Sequence, residues 1–330
     1  MNVSTTSPIR KVISITGATG FVGRRLADRH LALGDYVRIL TRREEASCDS
    51  RHNLEVHCGD LNGDPDTLKR FAAGAEVLYH CAAELRDADR MHLVNVAGTR
   101  NLAEAASGRI GRWVQLSSVA IYGRQPAGFV TETTPAEESR PYPTTSTKLA
   151  AERIVREHAE KGAFDFSILR PCKIYGAGMP DASLRNLAAY IERGLFVFIG
   201  RKGASANYVH VDNVVEALLL CATHDAARNQ AFNLCDGFAM EDLVAAMARI
   251  LGKRRPRMRI PEWVARAISA AARRIMNGFP LNEERIAGLT SRAIYVSDAI
   301  VQQLGYRPVV SLEEGIRELM KTTMPMKAGG

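Results

Sequence analysis

The sequence predicts an α/β protein, a doubly wound parallel sheet with a smaller, mostly helical C-terminal lobe, and two observations carry the prediction. Three glycines, Gly17, Gly20 and Gly23, stand between an apolar run and an amphipathic one near the N-terminus. Short apolar runs then alternate with helical patterns as far as Leu169. Val12, Ile13 and Ile15 read as a buried first strand, and Val22, Leu26 and Leu33 recur at helical spacing until Gly34 supplies a stop. Further strands are predicted at Tyr36–Thr41, Leu54–Cys58, Val77–Cys81, Trp113–Ser117 and Phe166–Leu169. Helices are predicted at Asp66–Ala73, at Leu93–Ala106 and from Thr145 to Lys161. A strand that returns through a helix must run parallel to its predecessor, so the sheet is parallel and ligands belong at the carboxyl ends of its strands.

The glycines at the first strand-to-helix turn have a specific use. Without a Cβ, main-chain N–H groups can approach a pyrophosphate closely, and the helix N-terminus adds partial positive charge. The strand–turn–helix context separates this run from a chance glycine motif. It makes Gly17, Thr19, Gly20, Phe21, Val22 and Gly23 the expected cradle of a dinucleotide.

Beyond Arg170 the alternation loosens into a loop with Gly176, Gly178 and Pro180, a helix around Leu184–Arg193 and further helical segments. We therefore expect a nucleotide-binding domain over residues 1–175, with 208–235 returning to it, and a substrate lobe over 176–330, the active cleft lying between them. With 330 residues, 46% hydrophobic and 24% charged, the chain can bury a sizeable core. No apolar run approaches the length of a bilayer and residues 1–10 lack a signal-peptide core, so a cytoplasmic protein is expected. Cys48, Cys58, Cys81, Cys172, Cys221 and Cys235 are widely spaced with no Cys-x-x-Cys pair, which suggests free thiols and no metal site.

The net charge of +8 is uneven: Lys253, Arg254, Arg255, Arg257, Arg259, Arg266, Arg273 and Arg274 share a stretch whose only acid is Glu262. Ile260, Trp263, Val264, Ala267, Ile268, Ala271 and Ile275 follow helical spacing there, an amphipathic basic helix over about 260–276. It can contact a membrane surface peripherally or an acidic substrate. The expectation preferred is a lid helix whose apolar stripe packs on its own domain. No nucleic-acid motif accompanies the charge, so nucleic acid is not an expected partner.

Several segments together resemble the extended short-chain dehydrogenase/reductase family, the group that includes nucleotide-sugar epimerases and dehydratases. They are Thr16-Gly-Ala-Thr-Gly-Phe-Val-Gly23, Gly59-Asp-Leu61, His80-Cys-Ala-Ala83, Asn95-Val-Ala-Gly-Thr-Arg-Asn-Leu102, Ser117-Ser-Val-Ala-Ile-Tyr-Gly123, Leu169-Arg-Pro171, Tyr175-Gly-Ala-Gly178, Tyr208-Val-His-Val-Asp-Asn-Val214 and Leu304-Gly-Tyr-Arg-Pro308. The resemblance spans nearly the whole chain. It implies a Rossmann-like nucleotide lobe, Asp60 and Leu61 against the adenine, Ala82 and Ala83 behind the pyrophosphate and ribose, a supporting role for Asn95, and a homodimer. His80 is expected to be a packed core histidine. The second strand ends in Thr41-Arg42-Arg43 with no acid to bind the ribose hydroxyls of NAD. The cofactor is therefore NAD or NADP, with Arg42 or Arg43 favouring the 2′-phosphate of NADP.

The resemblance also implies a serine, a tyrosine and a lysine that exchange a proton with substrate during hydride transfer. Ser118 and Lys148 carry over, Lys148 binding the nicotinamide ribose as well; Ser117 faces the other way along the strand. The family's tyrosine precedes the lysine by four residues, and that position is Thr144 here. Tyr142 lies six residues before Lys148, about 120° away on an ideal helix, but Pro143 disfavours helical geometry at Tyr142 and can open the helix itself. A threonine hydroxyl is far less acidic than a phenol, and even a phenol needs roughly 4 kcal/mol of help to fall by about three pKa units. Tyr142, displaced into the loop, is thus the expected acid/base.

The reading that follows is an NAD(P)-dependent epimerase or ketoreductase of a nucleotide-linked sugar, with Ser118, Arg201 and Arg292 as substrate contacts. Many sugar-nucleotide enzymes of the family carry an arginine where this chain has Ala206. Two alternatives remain: a dehydrogenase or reductase of an apolar or lipid-linked hydroxyl or ketone, as in steroid dehydrogenases, and a catalytically reduced NAD(P)-binding sensor or assembly subunit.

Overall fold

The computed structural model describes residues 11–43, 51–125, 127–137, 142–275 and 281–321; Cys48 lies outside the described residues. Seven strands form one sheet: β1 (Val12–Thr16), β2 (Tyr36–Thr41), β3 (Leu54–Cys58), β4 (Ala75–His80), β5 (Ile110–Leu116), β6 (Asp165–Pro171) and β7 (Gln230–Leu234). Their order is β7-β6-β5-β4-β1-β2-β3, and every pairing from β3 to β6 is parallel. The order reverses between β1 and β4, which is where a Rossmann-like sheet opens a crevice at its carboxyl edge. The sequence reading lacked β7. Its Gln-Ala-Phe-Asn-Leu run has no alternation to read, and it is placed by Asn229, whose left-handed φ of 58° lets its N–H donate to the Phe166 carbonyl at 2.6 Å.

The helices follow local rules. Helix α1 (Phe21–Ala32) starts after Gly20, where no side chain supplies a capping bond, and stops before Gly34, whose φ of 84° favours glycine. Helix α2 (Pro65–Ala72) has Pro65 in its first turn, and the Asp64 carboxylate accepts from the Asp66 and Thr67 N–H groups. Helix α3 (Gly98–Ala106) is preceded by the short helix Ala88–Met91 and by π-helical turns over His92–Ala97. Helix α4 (Pro143–Glu160) begins at Pro143. On one face of the sheet Leu68, Phe71, Leu102, Trp113, Ile154 and Val155 form a buried cluster, with Trp113 stacked on Phe164 at 5.3 Å.

The chain divides into two compact units, one made of Met1–Gly123, Ala136–Arg170 and Ala217–Phe232, the other of Arg124–Pro135, Pro171–Glu216 and Asn233–Gly330. Tyr208–Glu216 falls in the second unit because Tyr208–His210 pairs in parallel with Lys173–Tyr175 there. The second unit is mostly helical, with α5 (Ser183–Glu192), the start of α6 (Val211–Thr223), α7 (Met240–Ile250), α8 (Glu262–Ile275), α9 (Glu283–Thr290), α10 (Asp298–Leu304) and α11 (Leu312–Lys321) around two-stranded ladders. Asn213 on α6 fastens the C-terminal segment: its Oδ1 accepts from the Val309 and Val310 N–H groups, and its Nδ2 donates to the Val310 carbonyl.

Helix α8 departs from expectation. Its inward face is Ala265 and Ser269, with Ala265 packed among Ile199 and Ile286 and Ser269 Oγ donating to the Leu281 carbonyl. The stripe expected to pack instead has Trp263, Ala267, Ile268 and Ala271 exposed. Small residues let the helix approach its neighbours closely, and that proximity, not the bulk of the tryptophan, selects the inward side. The side chains of Arg273, Arg274 and Ile275 lie outside the described part.

Phe71 is fully buried between α2 and the sheet. Phe71→Ala is expected to cost about 3–5 kcal/mol of stability in urea denaturation, through lost transfer energy and the cavity left behind.

Candidate active site

The turn from β1 to α1 is closed on two sides by backbone. A Cβ on Gly23 would lie 2.3 Å from the Gly17 carbonyl oxygen, and one on Gly17, where φ is 70°, would lie 2.7 Å from the Ala82 nitrogen. The Gly20 N–H donates to the Gly17 carbonyl at 2.9 Å. Thr19 is exposed at the tip of the turn, Phe21 is half-buried and Val22 is buried. With no side chain capping α1, the first N–H groups of the helix have no intrahelical acceptor, which is what a pyrophosphate requires. The cradle therefore fits a dinucleotide.

A chain of buried hydrogen bonds runs from this turn to the next strand. Thr16 Oγ1 lies 2.7 Å from His80 Nδ1, and His80 Nε2 lies 2.9 Å from Thr99 Oγ1, which donates to the Asn95 carbonyl at 2.6 Å. Thr99 has one hydroxyl proton and gives it to Asn95, so Nε2–H donates to Thr99 and Nδ1 accepts from Thr16. Thr16 Oγ1 in turn accepts from the Ala82 N–H at 3.3 Å. Burial, aided by the nearby Lys148 charge, pushes the His80 pKa down to about 3, so the ring is neutral. His80 is a core histidine, edge-on to Trp113 at 5.3 Å, and it fixes the strand end that carries the half-buried Ala82 and Ala83.

Asn95 lies within the π-helical turns and clamps Glu84, accepting its N–H at 2.8 Å and donating to its carbonyl at 2.9 Å. The same amide lies 3.2 Å from Thr147 Oγ1. The segment after β4 is thereby tied to α4 one residue before Lys148.

Lys148 is buried, and its Nζ donates to the Leu116 carbonyl at 3.0 Å. Burial lowers its pKa to about 8, against the partial support of the Glu152 carboxylate. Cys81 is itself pushed up to about 12 by burial and is a neutral thiol. Ser118 follows β5, its Oγ accepting from the Ala120 N–H at 3.1 Å, and the Thr145 hydroxyl donates to the Ala120 carbonyl at 2.9 Å. The serine turn and the first turn of α4 are thus held together. Thr144 occupies the position one helical turn before Lys148, its Oγ1 3.8 Å from Met91 Sδ. Tyr142 precedes the helix in extended geometry (φ −58°, ψ 142°) and is 56% exposed, while its carbonyl accepts the Ser146 N–H.

Sequence reasoning missed the cluster behind Ser118. Ser117 Oγ donates to Glu152 Oε1 at 2.5 Å; Arg170 binds both Glu152 oxygens at 3.0 and 2.6 Å and donates to the Tyr122 hydroxyl at 2.8 Å. Burial works against the Arg170 charge, but the Glu152 carboxylate outweighs it and raises the pKa. Strand alternation had placed Ser117 on the opposite side from Ser118. The signal that could have found its partner is Glu152 itself, an acid one helical turn beyond Lys148 on a face otherwise bound for the core.

At the far edge, Asp60 Oδ1 accepts from the Asn62 N–H at 2.8 Å, and Arg42 Nε lies 3.7 Å from Asp60 Oδ2. Both side chains, and that of Arg43, are accessible at the ends of β2 and β3. Leu61 is buried against α3, where a Cβ on Gly98 would lie 2.9 Å from the Leu61 Cβ. In the second unit Arg292 donates to the Lys202 carbonyl at 2.5 Å, and Arg259, paired with Glu241, donates to the Arg201 carbonyl at 3.0 Å. The Arg201–Lys202 loop is therefore braced by two guanidinium groups.

Comparison with known proteins agrees with this geometry. The NAD dependent epimerase/dehydratase family matches residues 13–235. A 3 beta-hydroxysteroid dehydrogenase/Delta 5-->4-isomerase of Mycobacterium tuberculosis is 26% identical over 97% of this chain and 92% of its own. A UDP-glucose 4-epimerase of Vibrio cholerae is 26% identical over 93% of this chain and 94% of its own. The crystal structure of a UDP-glucuronic acid 4-epimerase from Bacillus cereus in complex with NAD has a TM-score of 0.72 over 94% of this chain and 98% of that chain; at 18% identity the likeness is one of fold.

Two outcomes follow from the buried charges. Glu152→Ala leaves Arg170 buried without its carboxylate, and a loss of about 3–5 kcal/mol is expected in chemical denaturation. Lys148 binds its proton less well folded than unfolded, so its charge costs stability at neutral pH. That cost is relieved as pH rises from about 8 towards 10.5. Lys148→Met should abolish this rise in stability when wild type and variant are titrated in parallel.

Proposed function

The chain belongs to the NAD-dependent epimerase/dehydratase family and is an oxidoreductase or isomerase, and from that premise we propose that it is an NAD(P)-dependent epimerase or ketoreductase of a nucleotide-linked sugar. The observation that carries the reading is the pairing of a main-chain phosphate cradle at Gly17–Gly23 with a buried lysine of depressed pKa near the Ser118 turn. The dinucleotide, when bound, supplies the hydride donor or acceptor.

In this proposal Gly17, Thr19, Gly20, Phe21, Val22 and Gly23 hold the pyrophosphate, and Asp60 and Leu61 flank the adenine. Ala82 and Ala83 back the ribose, and Lys148 binds the nicotinamide ribose. Ser118 Oγ accepts the Ala120 N–H, which leaves its own proton for the substrate oxygen. Tyr142 exchanges the proton, helped by Lys148, whose ammonium is only partly solvated and so acts strongly on a nearby phenolate. Thr144 shares the lysine's helical face but lacks the acidity.

Arg42 and Arg43 support NADP over NAD: the end of β2 offers two cations and no carboxylate of its own. The braced Arg201–Lys202 loop and Arg292 support a phosphate-bearing substrate. A second reading, the reduction or oxidation of an apolar hydroxyl or ketone, is favoured by one observation. Ala206 is buried at 1% exposure, so the position where the family's sugar-nucleotide enzymes carry an arginine offers no cation.

Tyr142→Phe should lower turnover by at least ~100-fold while leaving cofactor affinity intact. An undiminished rate removes Tyr142 from the role. Arg42→Ala should weaken NADP by about tenfold or more and NAD little, as measured by calorimetry. Copurified oxidised cofactor, with absorbance that responds to nucleotide sugars, is expected of an epimerase. A reductase exchanges its cofactor at each turnover.

A further inference from the structure

Over Trp263–Ala271, helix α8 turns an uncharged face outward. Trp263, Ala267, Ala270 and Ala271 lie opposite the buried Ala265 and Ser269, with Trp263 72% exposed and Ile268, on the flank, 45% exposed. A helix on the surface of a water-soluble domain ordinarily has charged residues there. Arg266, on the other flank, is tied to Glu262 and Glu283. The segment leading into the helix adds Met258, 64% exposed, whose carbonyl accepts the Phe198 N–H.

The cations nearby fall into two sets. Arg259 and Arg266 are bound to carboxylates, whereas Lys253, Arg254, Arg255 and Arg257 are exposed and pair with no acid among the described residues. An apolar helical face carrying a tryptophan, adjoined by unneutralised cations, is the composition of an interfacial helix. It suits a protein partner poorly, because several unpaired cations would be costly to bury in such an interface.

We propose that α8 and the 253–258 segment dock this protein on an anionic lipid bilayer. Trp263 and Ile268 enter the headgroup region, and the four free cations face lipid phosphates. The proposal does not depend on the reaction assigned above, and no helix among the described residues is long and apolar enough to cross a membrane.

Flotation with vesicles tests it, comparing phosphatidylcholine alone with phosphatidylcholine containing about one-third phosphatidylglycerol. Binding is expected only to the anionic vesicles and should fall with added salt. The chain has two tryptophans and Trp113 is fully buried, so a blue shift of emission on binding reports Trp263. The variant Lys253→Gln/Arg254→Gln/Arg255→Gln/Arg257→Gln should bind several hundred-fold more weakly, at roughly fivefold per cation. Trp263→Ser should weaken partition by about tenfold. Both variants replace exposed side chains, so unchanged NAD affinity and circular dichroism serve as the folding control. Wild-type protein that binds NAD but ignores anionic vesicles overturns the proposal. So does a Trp263→Ser variant that dissociates a dimer in sedimentation while floating as wild type does, since that assigns the face to a second copy of the chain.

Discussion

The carbonyl of Gly17 is the point on which the nucleotide-binding unit turns. It has α1 against it at Gly23 and the exit of β4 against its own residue at Ala82, each within the space of a single missing methyl group. No side chain could stand at either contact without moving backbone. Because the gap is set by covalent geometry, its effects extend outward as register rather than as softness. The position of Ala82 sets where Thr16 and His80 meet, and the one-proton accounting along Thr16, His80, Thr99 and Asn95 then admits a single arrangement. Asn95 passes the constraint to Glu84 and Thr147, and the next residue is Lys148.

Lys148 is held from its other side by a different kind of force. Glu152 and Arg170 form a buried ion pair whose remaining acceptor capacity is taken by Ser117 and whose remaining donor capacity reaches Tyr122. A pair of this sort contributes little net stability compared with an apolar filling, but it is intolerant of losing one member. Its use here is directional: the strand end bearing Ser117 and Ser118 is fastened to the helix bearing Lys148. The carboxylate also helps Lys148 keep its proton while burial works to remove it, so the pKa stops near 8 and the lysine remains mostly charged at neutral pH.

What could be read from the sequence follows the range of the physics. The glycine turn and strands β2 and β3 were legible because they depend on neighbours along the chain, and α4, expected from Thr145, begins two residues earlier at Pro143, which the sequence offered as a possible first residue. Strand β7 was not, since it is selected by Asn229 meeting Phe166 across a long separation in sequence. The Ser117–Glu152–Arg170 cluster escaped for a related reason: alternation tells that Ser117 and Ser118 point apart, but not what waits behind the sheet. For α8 the period grouped Trp263, Ala267, Ile268 and Ala271 on one face but wrongly added Ile260, which lies in a strand paired with Ile199 and packs inward, and periodicity does not say which face turns inward. Ala265 and Ser269 won because a helix can approach its neighbours more closely across small side chains.

The role proposed for Tyr142 is best weighed by magnitudes. Bringing a phenol down by about three pKa units takes roughly 4 kcal/mol of preference for the phenolate. Residing just before α4, Tyr142 has the positive end of that helix at hand, but a helix terminus contributes only about 0.3–1 kcal/mol at an exposed position. An ammonium about 4 Å away is worth about 4 kcal/mol at the effective dielectric of a protein surface, and more once substrate has excluded water. The helix terminus alone therefore cannot produce a working acid/base, whereas an ammonium at that distance can, and Lys148 is the one the proposal supplies. Freed from the helix by Pro143, the phenol is no longer bound to the 120° offset that six helical residues would impose. What the proposed role gives up is pre-organisation: with Tyr142 56% exposed, the proposal requires bound substrate to draw the phenol towards Lys148. Catalysis in this arrangement then depends on substrate binding to assemble its proton donor, a device that trades some rate for discrimination between substrates.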